Sequence, residues 1–310
     1  MIPVFNELES LPVLIDELKI NLKDFDFWEI IFVDDGSSDG STELLSDLCL
    51  SKPNCTLIQF HRNYGKSAAL SEGFRVAKGD YVITMDADLQ DDPSEIKNLV
   101  SKLNEGWDLV SGWKKTRLDP LNKRLPSKIF NFVLRLLTGV KIHDFNCGLK
   151  GYKKAVIKSI EIYGGRHRFI PALAGQKRFR VTEIVVNHRS RQFGETKYGG
   201  SRFLHGFFDL ITILFLNKFT QQPLHLFGSF GIIFFSAGFM VECFILYYKY
   251  VLLEPFSRHM ALLTFGVMLI VIGIQFFSIG LLGELMAKAN HNHENLIKYS
   301  KDDNQLINKD

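Results

Sequence analysis

Cysteine is scarce in this chain of 310 residues: Cys49, Cys55, Cys147 and Cys243, with no C-x-x-C pair among them. The scarcity argues against a disulfide framework of the kind that staples small secreted domains, and the four read as reduced thiols. Charge of one sign is also lacking. The net charge is +3, so nothing global draws the chain to nucleic acid. No Gly-x-Gly-x-x-Gly, Gly-rich lysine loop or Gly-x-Ser-x-Gly occurs, which argues against NAD, P-loop and nucleophile-elbow chemistry. The histidines show no zinc-ligand spacing, and His291 and His293 fall in a polar tail. The opening Met1-Ile2-Pro3-Val4-Phe5-Asn6-Glu7 lacks the basic stretch and apolar core of a signal peptide.

Two apolar runs that end in acid dominate what is present. They are Ile30-Ile31-Phe32-Val33-Asp34-Asp35 and Tyr81-Val82-Ile83-Thr84-Met85-Asp86-Ala87-Asp88. Runs of this length, bounded by Gly and Asp, read as buried parallel strands, which are apolar throughout because both faces are covered. Ligands of open α/β sheets bind beyond the carboxyl ends of the strands, so both runs aim carboxylates at one rim.

In order, the spacing predicts a short first strand ending near Val4 or Phe5 and a helix over 7–24, with Asn6 as its cap. Strand 30–33, a helix near 40–49 preceded by Asp39 as a capping residue, strand 57–60, a turn at 63–66 and a helix over 67–77 follow. Strand 81–85, a helix started by Pro93 and strand 109–112 continue the alternation. It then passes, over 142–153, to a polar loop that enters a short strand, and to a strand over 179–186. Strand, helix, strand in this order predicts a doubly wound α/β domain over 1–200.

Residues 121–138 pair an apolar face with Lys123, Arg124, Lys128 and Arg135. This is the composition of a helix lying in a membrane interface, or of one packed on the domain. A second amphipathic helix is expected within 201–222. The segment 223–286 holds two apolar runs, Leu226–Tyr248 and Met260–Gly283, each long enough to cross a hydrocarbon core of about 30 Å. The short linker between them predicts a hairpin. Basic residues before the first run and Lys288 after the second place both ends in the cytoplasm. Glu242 is expected to face a neighbouring helix or to lie toward the interface. Residues 287–310 read as a polar cytoplasmic tail.

The chemistry begins with Asp86-Ala87-Asp88. Two carboxylates at i and i+2 after a strand are hard oxygen ligands suited to Mg²⁺ or Mn²⁺ shared with a diphosphate. Asp34 and Asp35 can accept hydrogen bonds from a base N–H or a ribose hydroxyl. Together they point to a nucleotide-sugar site. His188, Arg189 and Arg191 read as a phosphate-binding cluster in preference to a solvated basic face. Arg166, His167 and Arg168 stand between approaching the substrates and a structural role.

Taken together, Pro3-Val4-Phe5-Asn6-Glu7, Val33-Asp34-Asp35-Gly36-Ser37-Ser38-Asp39-Gly40, Arg62-Asn63-Tyr64-Gly65-Lys66, Asp86-Ala87-Asp88-Leu89-Gln90-Asp91-Asp92-Pro93, Cys147-Gly148-Leu149-Lys150 and Arg191-Gln192-Phe193-Gly194-Glu195-Thr196-Lys197-Tyr198 carry a resemblance over nearly the whole chain. The chain resembles the polyprenyl-phosphate glycosyltransferases of glycosyltransferase family 2, which include dolichyl-phosphate mannose synthase and bacterial undecaprenyl-phosphate glucosyltransferases. The resemblance implies a GT-A fold, Rossmann-like, at the cytoplasmic face of the plasma (inner) membrane. It implies inverting transfer of a hexose from a nucleoside diphosphate sugar to a polyprenyl phosphate, serving envelope glycan synthesis.

By that similarity Pro3, Asn6, Glu7, Asp35, Lys66, Asp86 and Ala87 bind the nucleotide sugar, and Asp86 and Asp88 hold the metal. Arg191 and Lys197 belong to a loop that closes on phosphates. Arg124, Lys128 and Arg191 meet the acceptor phosphate. Asp144 is the acidic residue placed near the acceptor, or a loop-capping residue, and in some relatives the acid falls nearer the position of Gly148. UDP-glucose is the expected donor, with GDP-mannose and UDP-N-acetylhexosamine as alternatives, and a homo-oligomer is compatible with the span pair. A processive synthase would carry more spans and a Gln-x-x-Arg-Trp motif, absent here. A non-catalytic membrane scaffold would not need Asp35, Asp86 and Asp88 together.

Overall fold

The structure, a computed structural model, describes residues 1–115, 131–136, 138–190 and 222–289, with backbone alone at 288 and 289. The chain divides into two compact units, Met1–Leu210 and Ile211–Asp310. In the first, the strands Ile2–Val4 (β1) and Ile30–Asp34 (β2) run parallel, with Val4 opposite Asp34. Between them Leu11–Leu22 (α1) buries Leu11, Leu14, Ile15, Leu18 and Leu22, one stripe at helical spacing. β2 is buried at all five positions, as an unbroken apolar run requires. The helix Ser41–Leu50 (α2) leads to Cys55–Gln59 (β3), parallel to β2 with Gln59 opposite Asp34. These three strand ends therefore finish level.

The helix Lys66–Val76 (α3) leads into Tyr81–Thr84 (β4). Met1 N–H donates to Ile83 O at 2.8 Å, and Met85 N–H donates to Met1 O at 3.2 Å. One residue bonding to two that are two apart is the parallel pattern, so β4 lies beside β1. A 3₁₀ turn at Pro93–Glu95 precedes Ile96–Asn104 (α4), followed by Leu109–Trp113 (β5). Lys150–Lys153 (β6) lies antiparallel between β4 and β5. Lys154–Ser159 (α5) and Ile170–Gln176 (α6) precede Val181–Val185 (β7), which is parallel to β5. The three-stranded sheet β3-β2-β1 and the four-stranded sheet β4-β6-β5-β7 are joined edge to edge by the two Met1 bonds, giving the order 3-2-1-4-6-5-7. The sheet is thus mixed, not parallel throughout. Lys150 begins β6 opposite Thr84, the last residue of β4, so β6 enters from the functional rim.

Each sheet face has its own core. Ile2, Val4, Phe32, Leu14, Leu45 and Leu99 pack on one side, and Ile31, Val33, Phe74, Tyr152, Ile157 and Ile170 on the other. Alternation along β2 sends Phe32 one way and its neighbours the other. Each such side chain contributes about 1.5–3 kcal/mol on burial.

Two local expectations are corrected. Asn6 does not cap α1. It sits at φ +52, the helix starts at Leu11 with Pro12 in its first turn, and the preceding turn is closed by the Ser10 hydroxyl donating to Glu7 O. The cysteines are not all free thiols: Cys49, in the last turn of α2, is joined to Cys55, the first residue of β3. The tight reversal from helix to strand brings their Cα atoms to 4.8 Å, which sequence spacing alone does not reveal.

The second unit contains two long helices, Pro223–Tyr250 (α7) and Met260–Ala289 (α8). Both are long and apolar enough to cross a membrane, and both contain the expected runs. Their outward side chains are exposed and apolar, with Met240 71% and Ile232 62% exposed, unlike a core helix of a globular domain. Glycines set their approach: a Cβ on Gly238 would lie 2.6 Å from Gly266 O, and one on Gly231 2.9 Å from Gly273 O. Glu242 turns its carboxyl toward Gly266 of the facing helix, as expected of an acid that avoids lipid.

Candidate active site

Three loops at the carboxyl ends of β1, β2 and β3 are tied together by side chains from the acidic strand end. Asp34 is fully buried. Its Oδ1 accepts from the Ser37 N–H at 3.1 Å and hydroxyl at 2.5 Å, and its Oδ2 accepts from the Thr42 hydroxyl. It therefore holds the Ser37–Gly40 turn and does not reach a ligand, which corrects its reading as a nucleotide contact. Asn6 N–H donates to Ser37 Oγ at 2.9 Å, and Asn6 Oδ1 accepts from Ser38 N–H at 2.8 Å. Asp39 accepts from Leu8 N–H at 3.0 Å and from Ser41 N–H at 3.0 Å, so it braces the turn into α2 from one residue before the N-cap, a position that Gly40 occupies in place of the capping Asp39 expected. Burial opposes the ionisation of Asp39, yet these hydrogen bonds hold its carboxyl below the usual range.

Asp35 reaches the other way. Its Oδ1 accepts from Tyr64 N–H at 2.7 Å and its Oδ2 from Gly65 N–H at 2.9 Å. Burial raises its pKa against the effect of those two bonds. Each carboxylate oxygen keeps a second lone pair, so Asp35 can position this loop and still accept from a ligand. Gly65, at φ +92, turns the chain so that Lys66 opens α3.

The Lys66 ammonium is ion-paired with Asp86 Oδ1. Lys114 and Lys150 add positive charge within reach of Asp86. Burial pushes its pKa up, but the three lysines dominate and bring it down to about 2. Asp86 N–H donates to Asp91 Oδ2 at 3.2 Å, and Asp91 Oδ1 lies 3.0 Å from Lys114 Nζ. Burial of Lys114 favours its neutral form, but Asp91, Cys147 and Asp86 raise its pKa well above the ordinary lysine value. Lys150, also buried, donates to Cys147 O, and burial lowers its pKa. Burial pushes the Cys147 thiol up to about 12, so it is no nucleophile here. Asp88 accepts from Gln90 N–H at 3.2 Å.

Lys114 and Asp91 were not singled out from the sequence as site residues. A usable signal existed. Lys114 follows the apolar run Leu109–Trp113 just as Asp86 follows Tyr81–Met85, so the same rim rule applies to both.

The other predicted residues fall as follows. Pro3 lies in β1 opposite Val33. Glu7 turns back, with Oε2 accepting from the Ser10 hydroxyl at 3.1 Å. Ala87 is buried in the core, so only its backbone belongs to the site. Asp144 is 1% exposed; its Oδ1 accepts from Asn146 N–H at 3.1 Å, and its carbonyl accepts from the Ser111 hydroxyl at 3.1 Å. These are loop-holding contacts. Arg124, Lys128, Arg191 and Lys197 lie outside the described residues, as do most of 121–138 and all of 201–219.

Arg189, read from the sequence as part of a phosphate-binding cluster, is engaged with carboxylates in this structure. Its Nη1 donates to both carboxylate oxygens of Glu17, at 2.7 and 2.8 Å, and its Nη2 lies 2.9 Å from Asp92 Oδ1. His167 accepts or donates at 2.9 Å to Ser67 Oγ, and Arg166 stacks on Tyr163 at 3.6 Å. Burial, then the charges of Lys66, Arg168 and Lys150, lower His167 to about 3, so its imidazole is neutral.

Among the described residues no group of three or more His, Cys, Asp or Glu side chains gathers as a metal cage. Two carboxylates that leave the remaining positions to phosphate oxygens and water are, however, the usual Mg²⁺ arrangement. Asp86 already attracts a cation in Lys66, and the donor set is hard oxygen. The residues fit a divalent ion shared with a diphosphate.

Residues 1–161 match the family model described as glycosyl transferase family 2. The undecaprenyl-phosphate 4-deoxy-4-formamido-L-arabinose transferase of Salmonella choleraesuis (strain SC-B67) is 37% identical over 290 residues, covering 93% of this chain and 87% of that protein. The dodecaprenyl-phosphate galacturonate synthase of Rhizobium johnstonii is 34% identical over 295 residues, with the same coverage. Among solved structures, glucosyl-3-phosphoglycerate synthase from Mycobacterium tuberculosis with Mn²⁺ and UDP-glucose superposes with a TM-score of 0.54 at 19% identity. It covers 70% of this chain and 77% of that one, a likeness of fold.

Proposed function

The chain belongs to glycosyl transferase family 2, and on that premise we propose that it transfers a sugar from a nucleoside diphosphate sugar to a polyprenyl phosphate at a membrane surface. The observation that carries this reading is the ion pair of Asp86 with Lys66 at the end of β4, where Lys114 and Lys150 also act electrostatically on Asp86 and Asp88 follows two residues on. The two apolar helices and the lipid-phosphate acceptors in the relatives' names support the acceptor class. We assign residues 1–200 to catalysis, 201–222 to the membrane interface and 223–286 to the span pair. The catalytic unit and polar tail face the cytoplasm.

The chemistry is one displacement. An oxygen of the acceptor phosphate attacks the anomeric carbon, the bond to the diphosphate breaks, and the configuration inverts. A phosphate monoester is mostly ionised near neutral pH, so it needs orientation more than a general base. Bound Mg²⁺ or Mn²⁺, held by Asp86 and Asp88, would neutralise charge on the departing diphosphate. Asp35, Asn6, Pro3 and Glu7 frame the nucleotide side. Lys66 supplies positive charge beside the diphosphate. Arg191 and Lys197 close on phosphates, Arg124 and Lys128 orient the acceptor, and Asp144 holds the loop beneath it.

UDP-glucose heads the donor panel. The relatives' names add a uronic acid and a 4-formamido pentose to it, beside GDP-mannose and UDP-N-acetylhexosamines. The test is the detergent-purified protein with polyprenyl phosphate, Mg²⁺ or Mn²⁺ and each labelled donor. Metal-dependent label in the lipid phase, lost in Asp88→Ala, is expected. Absence of transfer from every donor, beside an active control enzyme, overturns the reading.

A further inference from the structure

Asp86 has a closed back and one open front. Behind it, a Cβ on Gly148 would lie 2.5 Å from Oδ2 and 2.9 Å from Oδ1, so the glycine backbone forms a wall with no room for a ligand. On the accessible side stands the Lys66 ammonium. Both partners are partly open to solvent, with side-chain exposures of 27% for Lys66 and 35% for Asp86, so this is a contact that can be exchanged. The N–H groups of Tyr64 and Gly65, just before the lysine, are fixed by Asp35, so its root is held while its ammonium rests on the partly open Asp86 carboxylate.

We propose that Lys66 is a resident cation on Asp86 that a divalent metal must displace, and that a diphosphate draws the lysine away as the metal enters. The inference rests on the assignment of the metal to Asp86 and Asp88 made above. One ammonium and one metal ion compete for the same carboxylate oxygen, and like charges so close repel strongly. Without nucleotide, the metal meets a carboxylate already neutralised. With a diphosphate present, the ammonium gains phosphate oxygens and Asp86 is released. Metal and nucleotide then bind with positive coupling, equal in both directions. The lysine thereby keeps the site from loading metal before a donor arrives.

One substitution gives opposite signs in two measurements. Mn²⁺ binding to the full-length protein in detergent, without nucleotide, is followed by the loss of the free-ion paramagnetic signal. UDP and GDP binding is followed calorimetrically in EDTA. Lys66→Gln is expected to tighten Mn²⁺ tenfold or more and to weaken the preferred nucleotide severalfold. Lys66→Arg keeps the charge and is expected to leave Mn²⁺ weak. A collapse of the site in Lys66→Gln would weaken both ligands, and that result, like an unchanged Mn²⁺ affinity, overturns the proposal. Asp86→Asn and Asp88→Ala separate the two readings. Loss of Mn²⁺ binding in both, with no gain in Lys66→Gln, retains the metal site and rejects the displaced lysine. Unchanged Mn²⁺ binding in both rejects the metal site and the inference with it.

Discussion

Gly148 and Asp86, 62 positions apart in the chain, are packed backbone against carboxylate: a Cβ on Gly148 would sit 2.5 Å from Asp86 Oδ2. The register of β6 on β4 creates the contact. Lys150 pairs with Thr84, so the residues just before one strand lie beside those just after the other. Gly148 does not have a positive φ, so alanine is compatible with its backbone. Gly148→Ala is therefore expected to move the Asp86 carboxylate while leaving the fold intact. Sugar transfer should fall tenfold or more with a small change in melting temperature, measured together by lipid-phase label and thermal unfolding. Unchanged transfer would show that the carboxylate position is not critical.

Arg189 joins α1 to the loop after Asp88. Besides its ion pairs to Glu17 and Asp92, its N–H donates to Gln90 O at 3.0 Å. Arg189→Ala leaves two carboxylates facing each other's vicinity without their cation. The expected cost is about 1–3 kcal/mol, toward the low end because Arg189 and Glu17 are partly exposed. Denaturant titration of Arg189→Ala and Glu17→Gln checks it, with Glu17→Gln the milder of the two. Equal stability of Arg189→Ala and the unsubstituted protein would remove the structural role assigned to this arginine.

His167 stays neutral in the folded protein down to about pH 3, whereas an unfolded histidine takes a proton near pH 6.5. The folded pKa is the lower one, so the unfolded state binds more protons between these values. Stability is complete above pH 6.5 and declines as pH falls toward 3, by at most about 1.4 kcal/mol per pH unit. His167→Gln should flatten the stability curve between pH 6 and 4. An identical slope in the variant would count against this origin.

Gly238 faces Gly266 O across the α7–α8 pair, with no space for a side chain. Gly238→Leu should force the helices apart and cost about 1–3 kcal/mol. A lower thermal midpoint in detergent is expected, with Gly238→Ala intermediate. A midpoint unchanged by leucine would mean that the helices do not pack through this glycine.

The sequence by itself determined the elements and most of the chemistry. The apolar run closed by Asp35 announced a parallel strand buried throughout, whereas the run closed by Asp86 is a strand buried at alternate positions with an antiparallel neighbour; the α1 stripe and the two long apolar runs announced helices. These signals are local, because a strand buried on both faces or a helix buried on one must carry its pattern along its own length. Only the tertiary structure decided what each charged side chain meets. It turned Asp34 and Arg189 into internal fasteners, brought Cys49 to Cys55, laid β6 antiparallel at the rim, and set Lys66, Lys114 and Gly148 around Asp86. A charge carries no periodicity, and its role depends on which distant segment the sheet register places beside it. That is why identical-looking acids at neighbouring positions, Asp34 and Asp35, part ways once the chain is folded.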